Sequence, residues 1–319
     1  MPISEALAQV VTPRRRVTGD AIAHATAFAF GLSVMLVAAL ILFELWIRSA
    51  PARAQFGWSF LVSTDWDPVA GRYGALPFVY GTVVTSAIAL IIGIPLALGT
   101  AIFLAELAPP RVSNALTFLV ETLAAIPSVI YGFIAIFLLV PAVRSLIGPS
   151  LETAFGFVPL FRGPSFGVSL LTAGLVLAIM VIPFIASVSR ESLLGVPPEQ
   201  REAALALGAT KWEATWQVVV PYARFGIIGS VFLALARALG ETMAVTMVIG
   251  NDPRIHASLL APGYSVAAVI ANEFSEATGN LHLSALIELG LVLFIVTAAV
   301  NAIARLFILV TARQGSNQR

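Results

Sequence analysis

Apolar residues gather along this chain in six long blocks, at about 25–47, 78–107, 115–142, 167–188, 217–249 and 284–311, separated by short polar stretches. A helix needs roughly 20 apolar residues to cross a hydrocarbon core of about 30 Å, and each block meets that length. None shows the apolar–polar alternation of a barrel strand. Lipid offers no partner to unpaired backbone groups, so helices, which satisfy them internally, are the expected element. The pattern therefore predicts an all-α integral membrane protein with about six transmembrane helices. A short segment (1–24) precedes the membrane region (25–311) and a short tail (312–319) follows it. Pro95, Pro127 and Pro183 fall inside the second, third and fourth spans and should kink them. The 251–283 loop holds one further apolar piece, Tyr264 to Phe274, too short to cross and better suited to an interfacial or re-entrant helix.

The first block has a signal-peptide look, with Arg14, Arg15 and Arg16 before it and Ala52-Arg53-Ala54 after it. Its apolar run of about 22 residues exceeds the 7–15 of a signal core, so it is read as a retained span.

Composition agrees with the pattern. Hydrophobic residues make up 59% of the 319 and charged residues 11%, with a mean hydropathy of +0.94. Soluble domains carry roughly 25% charged residues, so too little charge is present to cover a water-facing surface. The net charge of +1 gives no clustered basic face for nucleic acid. With no cysteine, disulfides, thiolate metal sites and cysteine nucleophiles are excluded. The single lysine, Lys211, follows Gly208-Ala209-Thr210 and is not in a phosphate-binding Walker loop, so no P-loop ATPase lies on this chain. His24, His256 and His282 lack metal-ligand spacing. Gly163-Pro164-Ser165-Phe166-Gly167 matches a nucleophile-elbow pattern, but in a loop entering a span rather than between strand and helix.

Basic residues set the expected orientation. With the N-terminus inside, Arg14, Arg15, Arg16, Arg111, Arg190, Arg201, Lys211, Arg305, Arg313 and Arg319 lie on the cytoplasmic side. Arg48, Arg53, Arg72, Arg144, Arg162 and Arg254 lie outside, and the bias favours both termini in the cytoplasm.

Two stretches carry chemistry. The inner loop at 189–216 contains Pro197-Pro198-Glu199-Gln200-Arg201-Glu202-Ala203-Ala204-Leu205-Ala206-Leu207-Gly208 and leads on to Pro221. Two prolines open a short helix of strong helix formers, with acidic residues in its first turn, and Gly208 closes it. Such a helix is either a solvated connection or a docking surface, and composition does not separate the two. The second stretch runs through the fifth span: Arg237-Ala238-Leu239-Gly240-Glu241-Thr242-Met243-Ala244-Val245-Thr246. In a continuous helix Arg237 and Glu241, four apart, would share a face, and Arg237 would sit about 20 Å along the helix from Arg224. An arginine at mid-span costs at least about 2.5–3.5 kcal/mol and normally faces a bundle interior or aqueous path. The pair could lock helices together, or the arginine could attract an oxyanion by charge-assisted hydrogen bonds. Glu121 and Glu288 also fall inside spans, where they line a path or pair with a neighbour, while Glu44 near a span end is placed to snorkel.

Glu202-Ala203-Ala204, Gly208 and then Pro221 resemble the EAA loop of bacterial ABC-importer permeases, although Val218 and Val220 stand where that family often has isoleucine and leucine. Ala238-Leu239-Gly240-Glu241-Thr242-Met243-Ala244-Val245-Thr246 is similar to the phosphate-specific permeases, closer to the PstC-type subunit than to its PstA-type partner. Trp66-Asp67-Pro68, Gly74-Ala75-Leu76-Pro77, Tyr80-Gly81-Thr82 and Ala125-Ile126-Pro127-Ser128-Val129-Ile130-Tyr131-Gly132-Phe133 share that likeness. The resemblance covers about 25–311, while the first twenty residues and much of 143–166 carry none of it. It implies a type I ABC-importer permease fold in a bacterial inner membrane, and a non-catalytic subunit that moves inorganic phosphate by alternating access. Glu202, Ala203, Ala204 and Gly208 would couple to the ATPase, and Arg237, Glu241 and Thr242 would lie on the substrate path. The implied partners are a PstA-type second permease, two ATP-binding subunits and an extracytoplasmic phosphate-binding protein. No cofactor is expected on this chain, with ATP and Mg on the ATPase subunits. A molybdate or sulfate permease is the alternative that the coupling loop leaves open; an ion-coupled anion transporter is another, which would use the same buried charges without needing a coupling helix. A membrane-embedded enzyme would need clustered titratable groups, which the sequence lacks.

Overall fold

The computed structural model describes residues 17–316, with side chains from 19 to 306. Arg14, Arg15, Arg16 and Arg319, which contribute to the expected orientation, lie outside the described residues. Among the described residues no strand forms, only isolated bridges at Asp67–Arg72 and Gly250–Gly263. The chain divides into two units, one ending at Ile47 and one beginning at Arg48. Among the described residues the first is one helix, α1 Val17–Arg48, with a mean hydropathy of 2.4 over its most apolar window.

The second unit opens with two short helices, α2 Ala50–Phe56 and α3 Ser59–Val62. A long helix, α4 Leu76–Ile102, continues through a π-helical turn, Phe103–Leu107. Two helices, α5 Pro110–Ala125 and α6 Ser128–Phe137, stand where the third span was expected. After a short α7, Leu139–Ala142, the uninformative stretch 143–166 forms small helical pieces, chiefly a π-helical turn, Val143–Ile147, and α8 Gly148–Phe155. Next come α9 Leu170–Leu194, α10 Pro198–Ala206 and α11 Lys211–Ala214. A further π-helical turn, Thr215–Val219, joins α11 to α12 Val220–Leu239. The chain ends with α13 Met243–Thr246, α14 Val266–Glu273 and α15 Asn280–Ser316. Five of these helical runs are long and apolar enough to cross a membrane, or six if the bent pair α5–α6 counts as one.

Two expected spans are discontinuous. The third, read as one stretch over 115–142, bends by 92° between α5 and α6. Proline forces its predecessor out of helical geometry, and Ile126 before Pro127 is accordingly extended, with ψ 130°. Pro95 and Pro183 remain inside continuous helices, so a proline alone does not decide between a kink and a break. The fifth span, read as 217–249, stops at Leu239, with Gly240 at its end. The apolar piece of the 251–283 loop forms α14, whose Val266, Ala267, Ala268 and Val269 are buried.

Within the second unit α9 is central, flanked by α4, α5 and α12. Helices in lipid gain little from apolar burial against one another and associate through close approach and hydrogen bonds. Gly174 of α9 lies so close to Ile88 of α4 that a Cβ would strike its branched side chain. Ser189 of α9 and Ser230 of α12 share a buried hydrogen bond of 2.9 Å. The core runs in layers, from Phe60, Phe78, Tyr264 and Leu286 at the α14 end to Leu193, Val196, Val219 and Ile227 at the α10 end.

Candidate functional site

At the α10 end, local sequence shapes the loop. Pro198 stands in the first turn of α10 and Glu199 beside it, where a missing N–H is harmless and negative charge is favoured. Gly208 takes φ +89°, a left-handed conformation that suits glycine. Its N–H donates to the Leu205 carbonyl at 3.0 Å and that of Ala209 to Ala204 at 3.1 Å, a glycine-closed helix end. Thr210 then opens α11 with a reciprocal capping box: its N–H donates to Glu213 Oε2 at 2.8 Å, and the Glu213 N–H donates to Thr210 Oγ1 at 3.3 Å.

This gives α10 two faces. Glu202, Ala203 and Gly208 are exposed, Leu207 is 91% exposed, and Ala204 is half-buried. On the opposite face Arg201 turns inward. Its guanidinium donates to Glu106 from Nε at 3.1 and 3.2 Å and from Nη2 at 2.8 Å, and to the carbonyls of Leu193 and Val196.

The second region lies at the breaks. Arg237 occupies the last turn of α12, where cationic side chains are favoured. Its guanidinium carbon lies 5.9 Å from the Phe184 ring centroid, within cation–π range. Glu241, beyond the helix end, does not share a helical face with Arg237, which corrects the expectation from spacing: Gly240 stops α12 between them. Among the described residues no ion pair joins Arg237 to Glu241. Glu241 Oε1 instead accepts the Ala244 N–H at 3.3 Å, at the start of α13. The Thr242 carbonyl accepts from the Thr246 hydroxyl at 2.7 Å. Arg237, Glu241 and Thr242 are all half-buried. The break in the fifth span also meets the broken third one, because α13 packs on α6 with Gly132 against Ala244. Tyr131 of α6 donates to the Leu123 carbonyl of α5 at 2.7 Å and bridges the bend. Irregular backbone at membrane depth is tolerated only where protein or a water-filled cavity surrounds it.

At the α14 end a cavity of about 500 Å³ is lined by Arg162, Phe166, Asp252, Arg254 and His256, among others. Arg254 donates to Asp252 from Nε at 2.9 Å and from Nη2 at 2.6 Å. That hydrogen bonding is the main reason the Asp252 carboxyl stays below the usual carboxylate range. Nearby, Glu273 Oε2 accepts from Trp66 Nε1 and contacts His282 Nε2, each at 3.0 Å. Ser165, within the nucleophile-like motif, donates its hydroxyl to the Val143 carbonyl. Glu121 is exposed, whereas Glu288 is buried with Oε2 lacking a hydrogen bond. Among the described residues no three His, Asp or Glu side chains are grouped to hold a metal.

Residues 93–313 match the family described as "Binding-protein-dependent transport system inner membrane component". The chain belongs to that family. This permease is 46% identical over 310 residues to the phosphate transport system permease protein PstC of Mesorhizobium japonicum, covering 96% of this chain and 95% of that one. It is 50% identical over 295 residues to the protein of the same name from Xylella fastidiosa, covering 91% and 90%. Among solved structures, its fold is like that of a chain of the inward-facing MetNI methionine ABC transporter, with a TM-score of 0.53 and 18% identity over 72% of this chain and 94% of that one. It is equally like a chain of a bacterial ABC transporter involved in alginate import, with a TM-score of 0.53 and 14% identity over 91% and 99%. Both the resemblance to PstC-type permeases and the type I importer architecture expected from it are thus found.

Two features escaped the sequence reading: the Arg201–Glu106 pair and the Trp66–Glu273–His282 cluster. The first joins positions 95 apart, and the second positions 207 apart. No local period encodes such distances. The available signal was an acid, Glu106, at the end of an apolar block, which needs a partner unless it reaches water.

Proposed function

We propose that this permease is the membrane-spanning subunit of an ATP-driven importer that carries inorganic phosphate into the cytoplasm. The observation that carries the reading is the 46% identity to a phosphate permease along 96% of the chain. The α10 end is cytoplasmic, both termini lie on that side, and the cavity at Arg162 and Arg254 opens outward. The bacterial inner membrane is its compartment.

The exposed face of α10, with Glu202, Ala203, Ala204 and Gly208, is the part offered to an ATP-binding subunit. Two such subunits, holding ATP and Mg, a second permease of the PstA type and an extracytoplasmic phosphate-binding protein complete the importer. Closure of the ATP-binding subunits moves α10, and the spans rotate to expose the path alternately. Arg237 is the cation that a phosphate meets at the broken spans. A guanidinium held by an aromatic ring rather than by a carboxylate keeps its donors available for an oxyanion. Glu241 and Thr242 shape the unwound backbone beside it.

The test is uptake of radiolabelled phosphate by cells lacking this gene, with sulfate and molybdate in parallel, and rescue by the wild-type chain. Loss and rescue of phosphate uptake alone supports the reading. Loss of sulfate or molybdate uptake with phosphate unaffected would transfer the same architecture to another oxyanion.

A further inference from the structure

The exposed face of α10 can receive force only if its other face is anchored. Arg201 is 23% and Glu106 11% exposed at the side chain, and three of their nitrogen–oxygen contacts lie between 2.8 and 3.2 Å. The remaining guanidinium donors reach the carbonyls of Leu193, at 2.7 Å, and Val196 at the end of α9. Leu193 and Val196 are themselves fully buried, packed with Ala101, Ile102, Val219, Ala223 and Ile227. One side chain of α10 therefore joins the ends of the two helices at the centre of the bundle, α4 and α9.

The setting of Glu106 adds a second observation. It sits on the π-helical turn that ends the α4 span, and α10 also packs against the π-helical turn that begins the α12 span. Such turns are frequent at functional sites and hold a helix slightly out of register. The first π turn is bonded further, through Ser113, whose hydroxyl donates to the Leu104 carbonyl at 2.8 Å and ties the start of α5 to it. The α10 end of the bundle is thus braced to four spans, and the Arg201–Glu106 pair is the charged link.

We propose that Arg201 and Glu106 are positioning residues for coupling: a rigid joint that converts displacement of α10 into movement of α4 and α9. This rests on the importer reading above. A bidentate arginine–carboxylate pair with little solvent has fixed geometry, so it transmits a push that a flexible surface contact would absorb. Arg201 adjoins Glu202, so the residue facing the partner and the residue facing the bundle are neighbours on one short helix. The pair belongs to the transmission and not to the phosphate path.

The experiment uses the whole importer, reconstituted in proteoliposomes with its binding protein, and measures inorganic phosphate moved per ATP hydrolysed. Glu106→Gln keeps the shape and one acceptor; Glu106→Ala removes both. The expected result is assembled complex that still hydrolyses ATP, with phosphate per ATP falling in the order wild type, Gln, Ala, and by about tenfold or more for Ala. A merely stabilising pair would lower the amount of complex and leave that ratio unchanged, and an unchanged ratio overturns the proposal. Should these variants fail to assemble, Glu106→Cys with Arg201→Cys decides, because this chain has no cysteine of its own. Bridging the two thiols with a short bifunctional reagent should restore or retain transport if the joint is rigid, and abolished transport on bridging overturns it. A wild-type complex that moves no phosphate would defeat the importer reading instead, a different outcome from wild-type transport unaffected by Glu106→Ala.

Discussion

The α10 loop and the broken end of the fifth span are both short helical pieces flanked by glycine, yet they are specified in opposite ways. In the loop every boundary has a local cause: proline at the start, Gly208 at φ +89° at the end, and a capping box at Thr210 and Glu213. At the break, Gly240 has an ordinary backbone, and Glu241 takes the N–H of Ala244 rather than the charge of Arg237. Beyond Gly240 the conformation is held by packing, with α13 lodged against Gly132 of α6. On the proposed function the difference is apt: a face offered to a partner is fixed by strong local signals, and a path that opens and closes is left to contacts that can be exchanged.

Substitutions can break or sharpen that contrast. The largest effect is expected at Gly132→Leu, where a side chain would meet the Ala244 backbone and the Met247 sulfur. Overpacking of this kind costs about 1–3 kcal/mol, so the amount of assembled complex recovered in detergent should fall sharply. Normal recovery with normal uptake would show that α6 and α13 are not held together there. Gly208→Val comes next. It places a β-branched residue in left-handed backbone, at a cost of about 1–3 kcal/mol, but in open space where nothing clashes. Complex should still form, while phosphate uptake drops because the end of α10 is displaced. A smaller change is expected from Thr210→Ala, which removes an N-cap worth about 0.5–2 kcal/mol. It should lower the thermal stability of the complex slightly and leave uptake near wild type; a drop in uptake as large as that of Gly208→Val would make the cap part of coupling.

The smallest effect concerns pH at the Asp252–Arg254 cavity. The folded-state pKa of Asp252 lies below its ordinary value because Arg254 hydrogen-bonds it. The stabilisation is therefore present above the ordinary carboxylate pKa of about 3.9, and it is lost as pH falls through the depressed folded value. Hydrogen exchange of the 250–263 loop should rise in that acid window, and Asp252→Asn should remove the dependence. Unchanged exchange in the wild type through the same window would mean that the Asp252–Arg254 pair does not hold the loop.

The same contrast explains what could be read from the sequence. Long apolar blocks made the membrane helices legible, since length and hydropathy alone decide them. Proline and glycine made α10 legible. A bend at Pro127 was expected and is found, at 92°; that Pro127 breaks its span while Pro95 and Pro183 stay within continuous helices was not legible, because the three share the same local chemistry. The placement of Arg237 and Glu241 on one face failed for a related reason: spacing of four implies a shared face only where the helix continues, and Gly240 ends it. Arg201 was visible only as one more inside charge, because its partner Glu106 is remote in sequence.

On the proposed function, force enters at α10 while phosphate passes at the broken spans. The most direct measurement is phosphate uptake and ATP hydrolysis, side by side, in reconstituted complex carrying Arg237→Gln. The complex is expected to assemble and to hydrolyse ATP in response to the loaded binding protein, yet to move almost no phosphate. Uptake at the wild-type rate would contradict it and remove the broken spans from the path.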